Sequence, residues 1–377
     1  MGEPRSFATV LAKPLFAVLV AVSVLASVIG GLLRAGVYAP ALPTEILSRA
    51  AVGHAALMLS GFFGTAIAIE RAVAIRARWA FLAPLASGSA SILLLVGRGD
   101  AAAWLAVVAS LAFVAVSGVL VFRQRAAHTA LLLVGASTWL LGSLLFATDR
   151  SSASAIPWWF AFPVLTIAAE RLEMTRLMRR HPWALASLIG VLFALLSGAA
   201  LSTLSTSQSG VLFGLSLSAL ALWLGLFDIA RRTVFAGGLS RYMALCLLTG
   251  YVWLGVAGLA WCAMALGWPT RDIAFHALGL GFIVSMMMGH APVILPAVVH
   301  IKLRFGPWFY VPFACLHTSL LLRLLGAILD RRLLIFGAAL NAIALAVFVL
   351  TVVGSAIAWR SRRRDLDQHR AEASAAG

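Results

Sequence analysis

Three features of this 377-residue chain predict an all-α bundle of about twelve membrane-spanning helices. Its composition is 62% hydrophobic and only 11% charged, with a mean hydropathy of +1.00, which no ordinary soluble domain shows. Its apolar runs recur at about 20 residues, the length an α-helix needs to cross a bilayer core. Its basic residues fall in the short connections and alternate between a rich side and a poor side.

In chain order the predicted spans are 14–33, 50–70, 79–97, 101–122, 128–148, 156–175, 183–204, 210–230, 242–266, 273–297, 307–329 and 333–358. The first follows a short polar stretch holding Arg5 and Lys13, as a signal sequence would. Its apolar run is longer than a typical cleaved signal and eleven more spans follow, so it reads as an uncleaved first helix. The connections are short and leave no room for a soluble domain. The chain therefore divides into a transmembrane domain, 1–359, and a basic tail, 360–377. The N-terminus, the even-to-odd connections and the C-terminus carry 21 basic residues against 7 on the opposite side. This places both termini in the cytoplasm, with a bacterial inner (plasma) membrane as the expected location. The net charge of +16 is spread along that face, which argues against nucleic acid as a partner and leaves membrane lipid. The RSRRR cluster at 360–364 is a stop-transfer anchor of this kind.

The second span ends IAIERAVAIR (67–76) and the sixth ends IAAERLEMTR (167–176), sharing I-A-x-E-R-x4-R. The tenth span opens with a His-Ala pair like that of the second. Spans 2, 6 and 10 are therefore candidate equivalents in a three-fold repeat of four-helix units, an arrangement familiar in transport and respiratory folds. The Glu70-Arg71 and Glu170-Arg171 pairs read first as interfacial charge neutralisation, with a proton-entry role as the sharper alternative. Cys246, Cys262 and Cys315 are isolated and lack metal-site spacing, so packing is their expected role.

Histidines carry the functional argument, because an imidazole is costly in lipid without a partner or a task. At about 1.5 Å of rise per residue, His54 lies roughly 9 Å and His276 roughly 13 Å to the outer side of the midplane, His317 lies near it, and His290 lies roughly 8 Å to the inner side. His276 and His290, fourteen residues apart, share a helix face with Gly279 and Met286 or Met287. Met58, Gly61 and Thr65 continue the face that His54 begins, a small and polar stripe that would make room for a flat macrocycle. The structural alternative for each histidine is a hydrogen bond to a neighbouring carbonyl inside the bundle. His128, His181, His300 and His369 lie at loops or in the tail and are expected to be solvated. Arg323 sits inside span 11 and needs an anionic partner, for which heme propionates are one choice, or must snorkel to the surface.

With twelve helices, cytoplasmic termini, His54 near the outer end of span 2 and His276 at the outer end of span 10, the chain resembles the catalytic subunit of heme-copper oxidases. Locally, His276-Ala277-Leu278 followed by Gly281, Met286 and Gly289-His290 is similar to NnrS-type membrane proteins linked to nitric oxide metabolism. The resemblance implies a b-type heme ligated by His54 and His276, with quinol or another molecule as electron donor. It also implies a heme-dependent oxidoreductase or a redox or nitric oxide responder. The departures are as informative: span 6 (IPWWFAFPVLTIAAERL) and span 7 (WALASLIGVLFALLSGAALS) hold none of the oxidase copper histidines, so a conventional oxygen-reducing centre is not expected. Any copper would fall to His290 and His317 with the soft thioethers of Met286 or Met287; ordinary packing is the other reading of those methionines. A transporter with a His/Met-lined pathway for a metal ion or a proton-coupled substrate is the alternative function.

Overall fold

A computed structural model describes residues 7–37, 43–149, 152–175, 182–202, 207–299 and 301–375. The secondary structure of the described residues is all helical, without a strand, and a helix satisfies its own backbone groups where no water is available. Twelve of its helices are long and apolar enough to cross a membrane. They are α1 (Pro14–Ala35), α2 (Ala56–Ile75), α3 (Arg78–Leu95), α4 (Gly99–Arg123), α5 (Ala127–Asp149) and α6 (Ser152–Met174) in the first half. In the second half follow α7 (Ala184–Ser202), α8 (Ser207–Phe227), α9 (Gly238–Ala265), α10 (Arg271–Val298), α11 (Pro307–Leu329) and α12 (Arg331–Arg363). The predicted all-α class stands, and the chain is a multi-pass membrane protein by the length and apolarity of these helices.

Two predicted boundaries move. Span 2 was expected over 50–70, but a separate short helix occupies Thr44–Val52 and ends at Gly53, so the crossing helix is Ala56–Ile75. His54 therefore sits at the junction of the two rather than within the span. The last helix does not stop at residue 358; it continues to Ala375 through the basic segment.

Helix α6 is the axis of the bundle. Every residue from Ala155 to Ala169 is buried, including Trp159 and Phe162, whose ring stacks on Trp139 of α5. Lipid tails are as apolar as these side chains, so helix association here rests on close packing and interhelical hydrogen bonds rather than on a hydrophobic driving force. Consecutive helices pack as antiparallel neighbours, notably α3 with α4, α5 with α6, α8 with α9 and α11 with α12. Helix α12 also returns to α1. Cys246, Cys262 and Cys315 are free.

Helices α2 and α10 share one irregularity. Each contains a stretch of π-helix just after its histidine, Ala56–Phe63 in α2 and Ala277–Val284 in α10, and no other described segment does so. A π-turn is wider than an α-turn and is found mostly at functional sites. In α2 the widened turn frees carbonyls that Ser87 of α3 satisfies, its hydroxyl donating to Ser60 O at 2.8 Å. The histidine-bearing ends of α2 and α10 thus carry the same departure from regular helix.

Candidate functional site

The π-turns begin one or two residues after His54 and His276, and the two rings meet. Their centroids lie 6.4 Å apart with planes 19° from parallel. Each ring is held by a carbonyl at Nδ1: Ser27 O of α1 at 2.7 Å for His54, and Asp272 O at 2.9 Å for His276. A carbonyl only accepts, so in both rings Nδ1 carries a proton, and the neutral form of each ring has its lone pair on Nε2. Asp272 adds a carboxylate oxygen 3.2 Å from Nδ1 of His276. A carbonyl or carboxylate behind the imidazole is how metal-ligating histidines are fixed in tautomer and orientation.

Both rings border a cavity of about 590 Å3 between α1, α2, α6, α10, α11 and α12, within the size range of cofactor and ligand sites. Its walls include Met58, Phe63, Ile156, Phe160 and Gly279; charged groups at its lining are Arg34, Arg271, Asp272, Arg323 and Arg331. Gly31 of α1 is required at its position, because a Cβ there would stand 2.8 Å from Cε1 of His54. Arg323 is only 6% exposed and neither snorkels nor stands free. It makes a bidentate pair with Asp272, Nε to Oδ2 at 3.0 Å and Nη2 to Oδ1 at 2.8 Å. Asp272 thus links Arg323 to His276, a role missed in the sequence although Asp272 lies one helical turn before the histidine.

The stripe expected to continue from His54 is split. Met58 lines the cavity, but Gly61 faces α3, where a Cβ would collide with the hydroxyl of Ser91, and Thr65 donates to Ser87 Oγ at 3.0 Å. The π-turn rotates everything after it relative to an uninterrupted α-helix, so α-helical spacing assigns the wrong face.

His290 and His317, expected to converge with a methionine, stand in separate networks. Nε2 of His290 faces Nη2 of Arg171 at 2.8 Å and its Nδ1 faces Met286 O at 2.7 Å. Nδ1 of His317 accepts from the Trp253 indole at 2.9 Å, and its Nε2 lies 3.3 Å from Ser285 Oγ. Met286 is buried with its methyl against Gly250, and Met287 is packed on the core. Among the described residues no group of three or more His, Cys, Asp or Glu side chains stands ready for a metal ion.

A second cluster of charged groups lies at the other end of α2, α6 and α10. The two Glu-Arg pairs are cross-linked, and the shorter contact of Arg71 runs between them rather than within its own pair. Arg71 reaches across to Glu170 at 2.7 Å and stays 3.7 Å from its neighbour Glu70. Arg171 turns to His290, and its Nε is 4.0 Å from Asp228, which also accepts from the Tyr251 hydroxyl at 2.6 Å. His128 is not solvated as expected; it is buried, with Nε2 3.7 Å from Glu173. His181 and His300 lie outside the described residues, as does the side chain of His369.

Twelve helices long and apolar enough to cross a membrane, six of which line a cavity bordered by both imidazoles, define a polytopic membrane protein with a candidate ligand site. The chain belongs to the family described as Domain of unknown function (DUF8744), whose family model matches residues 13–357, nearly the whole helical bundle. Comparisons with curated proteins and with solved structures gave no match.

Proposed function

We propose that this protein binds a b-type heme in the cavity between α2 and α10, with Nε2 of His54 and Nε2 of His276 as its two axial ligands. The observation that carries the reading is the 6.4 Å between ring centroids. An imidazole nitrogen binds a metal at about 2.0 Å and lies roughly 1.1 Å from its ring centre, so the centres of two imidazoles on one iron stand about 6.2 Å apart. The tautomers agree, since both lone pairs are on the nitrogens not bonded to carbonyls. The volume agrees as well, and arginines at the lining match propionate carboxylates by their planar fork. Of these, Arg34 and Arg331 are the choices for propionates, because Arg323 already holds Asp272.

Such a heme supplies one-electron transfer, or nitric oxide binding if one histidine yields. The reading is therefore a respiratory or nitric oxide-responsive membrane protein related to the heme-copper oxidase type, in a bacterial inner membrane with both termini cytoplasmic. Quinol is a suitable electron donor. Copper at His290 and His317 is not part of the proposal, because their ring nitrogens are engaged elsewhere. The same engagement weakens a His/Met-lined transport path.

The test is an optical spectrum of the purified protein, oxidised and then dithionite-reduced. A Soret band with sharp low-spin α and β bands on reduction is expected. Addition of nitric oxide to the reduced protein then distinguishes a labile ligand, with an immediate shift, from two firm ones. Colourless protein that still fails to bind added hemin would overturn the proposal.

A further inference from the structure

At the end opposite the histidine pair, roughly 20 Å along α10 by its rise per residue, α2, α6 and α10 are tied by charged groups into an open ring. Arg71 of α2 bonds Glu170 of α6, and Arg171 of α6 bonds His290 of α10. Asp228, one residue past the end of α8, lies beside Arg171. Arg171 and Asp228 are almost wholly buried, with side chains 6% and 1% exposed.

The charges of this ring do not balance as ionised groups. His290 is neutral: its Nε2 must be the acceptor, since a guanidinium only donates, and its Nδ1 must be the donor, since the Met286 carbonyl only accepts. Among the described residues that leaves two guanidiniums, Arg71 and Arg171, facing three carboxylates, Glu70, Glu170 and Asp228. Asp228 is bonded as an ion, accepting from the Tyr251 hydroxyl at 2.6 Å and the Ala230 N–H at 2.8 Å. Glu170 is bonded as an ion, to Arg71 at 2.7 Å. Glu70 is the carboxyl left over. Its oxygen stays 3.7 Å from Arg71 even though Nε of Arg71 is buried with no hydrogen-bond partner. An ionised carboxylate in a low-dielectric site is drawn to an open donor of this kind. Among the described residues of the other elements packed on this part of α2, Arg78 at the start of α3 is exposed, α3 is uncharged from Leu82 to Leu95, and Arg123 of α4 is turned to the Ile75 carbonyl. Glu173, about half exposed, faces His128 and is open to solvent.

We infer that Glu70 carries an exchangeable proton, making this ring a proton-binding site in contact with water at one end of the bundle. Glu70 suits that role by position: its side chain is 25% exposed, close to the 24% of Glu170, while Arg171 and Asp228 are closed behind them. His290 is the neighbouring base that receives the proton if Arg171 releases Nε2, so the ring can hold the proton at either of two places. The inference is independent of heme.

Infrared spectra of the full-length protein at neutral pH, in a detergent free of ester groups, test it. The wild type should show a carboxylic C=O band that shifts to lower frequency in deuterated water. Glu70→Gln should lose the band, and Glu173→Gln should keep it. Glu70→Asp guards against a folding failure: it should retain a protonated carboxyl at a shifted frequency. A wild-type spectrum without the band, a band that persists in Glu70→Gln, or one that stays at the wild-type frequency in Glu70→Asp overturns the assignment. Heme content is measured on the same samples, so failure here is distinguishable from failure of the histidine reading.

Discussion

His276 and His290 lie on one helix fourteen residues apart, and their surroundings are opposite in kind. Around His276, hydrogen bonds come only from behind: a carbonyl and a carboxylate hold Nδ1, and Nε2 is left at the edge of a 590 Å3 cavity. Around His290, both nitrogens are used by neighbouring groups. A histidine oriented from one side is prepared for a ligand, whereas one satisfied on both sides is part of the scaffold. Side-chain type and membrane depth do not separate the two cases; only the count of partners does.

The sharpest way to break the contrast is to remove each histidine in turn. Replacing His54 or His276 by Ala should abolish the low-spin heme spectrum, while His290→Ala should leave it intact. Full heme retention in both cavity variants would remove the basis of the contrast. Next in size is the buried pair behind His276. Asp272→Asn leaves Arg323 charged and unpaired, which should cost about 3–5 kcal/mol of stability, read by thermal unfolding in detergent. The double variant with Arg323→Gln should recover part of that loss; no recovery would show that the pair does not act as a unit.

Smaller effects sharpen the comparison. Gly31→Ala places a methyl against the His54 ring, and overpacking of this kind costs about 1–3 kcal/mol. It should lower heme occupancy while leaving the ring at the other end unaltered, as hemin titration would report. His290→Ala, already expected to keep the heme spectrum, should lower the thermal midpoint by an amount equivalent to about 1–3 kcal/mol, because Arg171 loses an acceptor. The smallest change expected is from His317→Phe. It removes the acceptor of one indole N–H, worth about 1 kcal/mol, and should be visible as a shift in Trp253 fluorescence without loss of heme. Loss of heme in that variant would tie His317 to the cavity.

What the sequence determined alone is the class and the spans, because crossing a bilayer imposes length and apolarity on every helix independently of its neighbours. His54 and His276 could also be paired from depth, since depth is a one-dimensional quantity that residue counting supplies. Lateral position is different. The π-turns after both histidines rotate the faces that follow, which is why Gly61 and Thr65 turned out to face α3. Arg71 bonds a carboxylate 99 residues away in preference to the one beside it. Asp272 as the partner of Arg323, the crossed Glu-Arg pairing and the separation of His290 from His317 depend on which helices touch, and that was decided by close packing of twelve helices in three dimensions.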